Sequence, residues 1–136
     1  MTIRHINTLR AVGGAVLAEV AQIAAAFLWV AIYSYVINPD QPMRVYEQHA
    51  QRSGPWVSII AGFVIFYAAS RWVARSLPTA LALFVVFAAL DGLFLVFSSA
   101  DTSGTLLALV GASYVSKLLA CHLGGRHGAA TRAARE

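Results

Sequence analysis

Charge is scarce in this sequence: Asp, Glu, Lys and Arg supply 12% of its 136 residues, while hydrophobic residues supply 59%. An ordinary soluble domain is about one quarter charged, so this composition cannot clothe a water-facing surface. Cysteine is almost missing as well. Cys121 is the only one, which excludes an intrachain disulfide and any miniprotein held together by such bonds. Period-two alternation is absent, which argues against a membrane β-barrel. No segment carries the charged face that a soluble helix shows to water. Gly-rich phosphate loops, zinc-protease helix motifs and dinucleotide fingerprints are absent too.

What the chain does have is four long apolar runs. About 20 helical residues cross a hydrocarbon core roughly 30 Å thick. Runs over 11–37, 55–74, 78–98 and 105–123 meet that requirement, and residues 20–39 carry no charge at all. The reading is an all-α integral membrane four-helix bundle with four transmembrane helices, occupying residues 1–124. The first run is too long for a cleavable signal peptide and fits a retained anchor. Asn38-Pro39-Asp40-Gln41-Pro42 stops it, since proline removes a backbone donor and biases its predecessor away from helix. A long loop to Ser53 is expected next, with a short interfacial helix over Pro42–Arg52. Pro78 suits the first turn of the third run. Ser99–Gly104 reads as a turn, and Gly124-Gly125 reads as the end of the fourth run. Residues 125–136, rich in Gly, Ala and Arg, read as a disordered basic tail.

Orientation follows from arginine. Arg4, Arg10, Arg71, Arg75, Arg126, Arg132 and Arg135 fall on one side, against Arg44 and Arg52 on the other. That bias places both termini in the cytoplasm of a plasma membrane, as in a bacterial inner membrane. Arg71 and Arg75 read as topology anchors that snorkel to the boundary. Trp56 and Trp72, near the two ends of the second run, suit interfacial belts.

Three ionisable residues lie inside the runs: Glu19, Asp91 and Lys117. Each would cost roughly 2.5–3.5 kcal/mol at the centre of a lipid-facing helix, so they are expected to face the bundle. Glu19 and Lys117 sit at similar depth from the cytoplasmic side, about 12 Å and 9 Å, and an interhelical ion pair between them is expected. Asp91 lies deeper, at about 18 Å, and is the alternative partner of Lys117. Helical spacing puts Glu19, Gln22, Ala26, Trp29 and Tyr33 on one stripe, Tyr114 beside Lys117, and Tyr67 beside Arg71. Glu19, Gln22, Tyr33, Tyr67, Asp91, Tyr114 and Lys117 together form the candidate intramembrane polar network. It either fixes helix register or makes an ion or substrate site. Gly13, Gly14, Ala18, Ala21 and Ala25 would allow close helix approach.

Other constellations are weak. Cys121-His122 with His127 lacks a recognised ligand spacing, so no metal is expected. Ser113 and Ser116 precede Lys117 at spacings that composition alone produces, so no serine–lysine catalysis is expected. His5 and His49 read as solvated surface residues.

The string Gly13–Val20 resembles the first helix of small multidrug resistance transporters, and Tyr67–Trp72 resembles their second. The resemblance implies Glu19 as a proton-coupling carboxylate and Tyr67 as a substrate contact. It covers these two strings alone. The long first loop, the third run without the family's tryptophan and tyrosine, Asp91, Lys117 and the strong arginine bias all depart from the family, and membership is not assigned.

The expectation is therefore a small multi-pass membrane protein, non-enzymatic, with an accessory or structural role. The alternative is a small proton-coupled transporter that uses an intramembrane carboxylate. No cofactor and no nucleic acid is expected; the partners are the lipid bilayer and either further copies of the chain or a larger membrane complex.

Overall fold

The computed structural model describes residues 6–97 and 104–134. Four helices account for nearly all of them: α1 (Thr8–Ile32), α2 (Met43–Ala69), α3 (Leu77–Phe97) and α4 (Gly104–Ala133). Each is long and apolar enough to span a membrane. The last turns of α1 and α2 widen into π-helical segments, Tyr33–Ile37 and Ser70–Ala74.

Local chemistry explains where the elements begin and end. The Asn7 side chain caps α1 by accepting from the Arg10 backbone N–H at 3.0 Å. The prolines at 39 and 42 end this first helix as expected, with Asp40 in the left-handed region at φ 60°. α2 ends on Arg75, also left-handed at φ 58°, whose N–H returns to the Ser70 carbonyl at 3.0 Å.

Two expectations about boundaries are overturned. The stretch from 42 to 53 is not a loop with a detached helix but the first three turns of α2, and Pro55 lies inside that helix. Proline deletes one donor, but the turns before it are held from outside. Tyr46 donates to the Asn38 carbonyl at 3.1 Å and accepts from the Gln41 N–H at 2.9 Å, and Tyr33 stacks on His49 with ring centroids 3.5 Å apart. The second correction concerns residues 125–134 of the expected 125–136 tail, 135 and 136 lying outside the described residues. Gly124-Gly125 does not end the helix, and α4 continues to Ala133. A Cβ on Gly124 would lie 2.5 Å from the Tyr67 carbonyl, and one on Gly125 would lie 2.8 Å from the Ala80 Cβ. These glycines serve close helix approach rather than a turn. The turn expected over Ser99–Gly104 lies outside the described residues except for Gly104.

The helices alternate in direction. Asn7 donates to Thr79 Oγ1 at 3.2 Å, so α1 and α3 start at one end, and Gly125 against Leu77 and Ala80 brings the end of α4 there too. α1 packs on α2 and α3, and α4 packs on the same two helices, so α1 and α4 occupy opposite corners. The fully buried core belongs to the half nearest the termini: Ala11, Ala15 and Ala18 of α1 meet Phe66, Leu83, Phe87, Ala120 and Cys121. Small side chains on α1 let Leu83 press against Gly14. The outward faces carry exposed Leu9, Val20, Phe27, Val64, Val85 and Leu119, an apolar surface suited to lipid rather than water.

Candidate functional site

Lys117 is the centre of the polar interior. It is only 3% exposed, near the middle of α4, at the level where the tight alanine-rich half of the bundle gives way to a looser half. Its stem passes Gly62 of α2, where a Cβ would lie 2.8 Å from Lys117 Cε and 3.1 Å from Gln22 Oε1. Its Nζ donates to Ser58 Oγ of α2 at 3.1 Å and stands 4.5 Å from the Phe87 ring centroid and 5.6 Å from that of Phe66. Aromatic faces attract a cation, and the attraction strengthens where water is excluded. Phe66 and Phe87 are themselves edge to face at 4.6 Å, so the lysine closes on a rigid aromatic pair.

Ser58 joins the other helices to this amine. It accepts from Gln22 Nε2 of α1 at 3.3 Å and lies 2.9 Å from Ser113 Oγ of α4. On the far side, the Tyr114 hydroxyl donates to Asp91 Oδ2 at 2.6 Å, tying α4 to α3. Asp91 lines the same cleft as Lys117.

The expected Glu19–Lys117 contact is not made. The lysine donates to Ser58 instead, and Glu19 Oε2 is buried without a hydrogen-bond partner, as is Gln22 Oε1. The reason is the helix order: α1 and α4 stand at opposite corners, with Gln22, Ser58 and Gly62 lying between the two charges. Similar depth along two helices carries no information about which helices are neighbours.

The seven residues grouped from sequence fall into three places. Glu19, Gln22, Asp91, Tyr114 and Lys117 gather in the centre. Tyr33 lies at the end far from the termini, where it stacks on His49 and receives a hydrogen bond from Asn38 Nδ2 at 3.2 Å. Tyr67 lies at the termini end, 2.8 Å from His127 Nδ1 and accepting from Arg71 Nη1 at 3.2 Å. His49 is therefore half-buried rather than a solvated surface residue, with its Nε2 lacking a partner. Ser58, Gly62 and Phe87 complete the centre. Nothing local in the sequence marks them, since a serine, a glycine and a phenylalanine in apolar runs are ordinary.

A cleft of about 180 Å³ reaches this centre from the end far from the termini, between Gly54, Ser58, Asp91, Ser113, Tyr114 and Lys117. On the other side Phe66, Leu83, Phe87 and Cys121 are fully buried. Ser58, Asp91, Ser113 and Lys117 give the lining of the cleft a polar side. Among the described residues no three His, Cys, Asp or Glu side chains gather as a metal site would require. No family model matches this chain, nor does any curated protein or solved structure.

Proposed function

We propose that this is a non-enzymatic integral membrane protein, an accessory or structural four-helix unit of the bacterial inner membrane with both termini in the cytoplasm. The membrane placement draws on the four apolar spans and the outward-facing belt, and the orientation on the arginine bias. The observation that carries the functional reading is the way Lys117 is used. Its amine is held by Ser58 and two aromatic rings, and the bundle is closed beneath it by Phe66, Leu83, Phe87 and Cys121. A lysine so held fixes the register of its helices, and the fully buried side chains beneath it suit a structural role.

A second reading, proton-coupled transport, is favoured by one specific feature: Glu19 Oε2 is buried without a partner near the Lys117 centre. The two readings separate in proteoliposomes carrying a pH gradient. The accessory role expects no proton or cationic-dye flux above that of empty vesicles. Flux that disappears in Glu19→Gln would overturn it in favour of transport.

A further inference from the structure

At the end that holds the termini, four arginines from three helices converge on one open cavity of about 560 Å³. Arg10 comes from the first turn of α1, Arg71 and Arg75 from the end of α2, and Arg132 from the last turn of α4, with Trp72 and Thr131 beside them. The volume falls within the range of roughly 300–1,000 Å³ common for small-molecule sites.

The chain is built to bring these charges together. A Cβ on Gly128 would lie 2.7 Å from the Arg71 carbonyl and 3.2 Å from the Arg75 Cα, so only glycine lets α4 lean on the end of α2. One turn later, Thr131 and Arg132 reach the cavity rim. Arg71 is aimed by its bond to Tyr67, which is itself held by His127, and Arg75 by its Nε bond to the Trp72 carbonyl at 2.8 Å. Each guanidinium has five N–H donors, and these contacts use one of each, both on uncharged acceptors.

Among the described residues no carboxylate lines the cavity. Asp40 and Glu47 are at the opposite end of the bundle, while Glu19 and Asp91 belong to the Lys117 centre. Arginines that merely anchor a topology are free to snorkel to separate points on the rim. Here Arg10, Arg71 and Arg75 open onto one concavity, at a Coulombic cost that a multiply charged anion would offset. Convergent guanidinium forks suit phosphate oxygens in particular.

We infer that the cavity lined by Arg10, Arg71, Arg75 and Arg132 is a binding site for a phosphate group, carried either by an anionic phospholipid headgroup or by a soluble phosphate compound. The lipid source rests on the membrane-spanning reading, because basic pockets between helices on the cytoplasmic side take such headgroups.

The test uses the full chain in neutral detergent, probed by native mass spectrometry and thermal melting with phosphatidylglycerol, cardiolipin, phosphatidylcholine or inorganic pyrophosphate. An anionic probe should form a defined adduct and raise the melting temperature. The double variant Arg75→Gln/Arg132→Gln should weaken that binding about tenfold or more, while Arg44→Gln/Arg52→Gln at the opposite end should leave it unchanged. Binding of the lipids alone identifies a headgroup site, and binding or competition by pyrophosphate identifies a soluble phosphate. Equal adducts with phosphatidylcholine, or equal loss in the control pair, would overturn the proposal. If the glutamine pair fails to fold, Arg75→Lys/Arg132→Lys decides: it keeps the charge but loses the fork, and undiminished binding with no preference for anionic over zwitterionic lipid would count against the site. Resistance of the protein to carbonate extraction from membranes checks the spanning reading separately.

Discussion

Gly62 and Lys117 are shaped for each other: the space a Cβ would fill on α2 is taken by the lysine stem of α4, 2.8 Å from that position. The missing side chain lets a long cation lie flat between two helices and deliver its amine to Ser58. A small residue on one helix thus positions a charge on another, which neither sequence run discloses alone.

Substituting glycines should therefore give a graded series in detergent melting. Gly124→Ala should be the most damaging, because its Cβ would meet the Tyr67 backbone carbonyl at 2.5 Å, and backbone yields less than a side chain. A cost of about 1–3 kcal/mol or more is expected from such overpacking. Gly62→Ala should cost less, since Lys117 and Gln22 have some freedom to adjust. Gly13→Ala has nothing within 4 Å to meet and should be neutral or stabilising by up to about 1 kcal/mol. An inverted order would show that the close approaches are not as described.

Lys117→Met should destabilise the bundle, because it removes the charged donor to Ser58 and the cation held against Phe66 and Phe87; a hydrogen bond to a charged group contributes about 1.5–3 kcal/mol. Asp91 lines the same cleft as Lys117 and Glu19 does not, so a double-mutant cycle with Asp91→Asn should show larger coupling than one with Glu19→Gln. Removing both members should recover much of the loss. Larger coupling to Glu19 would restore the direct pairing expected from depth alone.

The four apolar helices are legible in the chain, and their order around the bundle is not. Runs free of charge mark four apolar spans because transfer from water is a property of composition. Residues such as Gln22, Asp91 and Tyr114 were assigned to the interior because hydrocarbon penalises polar groups. Whether α1 adjoins α4 depends instead on how Gly14, Gly62 and Gly124 fit particular partners, and no periodicity encodes that. Pro55 and Gly124-Gly125 misled for a related reason. Local preference argued for breaks, and tertiary contacts at His49, Tyr67 and Ala80 overrode it.

Topology is open to direct measurement. Reporter fusions after Glu136 and within Arg44–Arg52 are expected to report opposite sides of the membrane, the former cytoplasmic. Both reporters on one side would remove the four-span arrangement.

The continuation of α4 past Gly124 leads to the remaining prediction. A disordered tail would be dispensable, so deleting residues 125–136 would leave stability unchanged. In the folded chain, however, Gly125 lies against Leu77 and Ala80, Gly128 against Arg71 and Arg75, and His127 meets the Tyr67 hydroxyl at 2.8 Å. The deletion would strip these contacts from the ends of α2 and α3 and uncover Ala80, which is now buried. Truncation after Gly124 should lower the detergent melting temperature measurably. Tyr67→Phe, which removes one hydroxyl shared by His127 and Arg71, should lower it less, by about 0.5–1.5 kcal/mol in stability. His127→Ala in a Tyr67→Phe background should then add little, because the bond it would break is already gone. A truncated protein that melts like the full chain would show that residues 125–136 do not pack on the bundle.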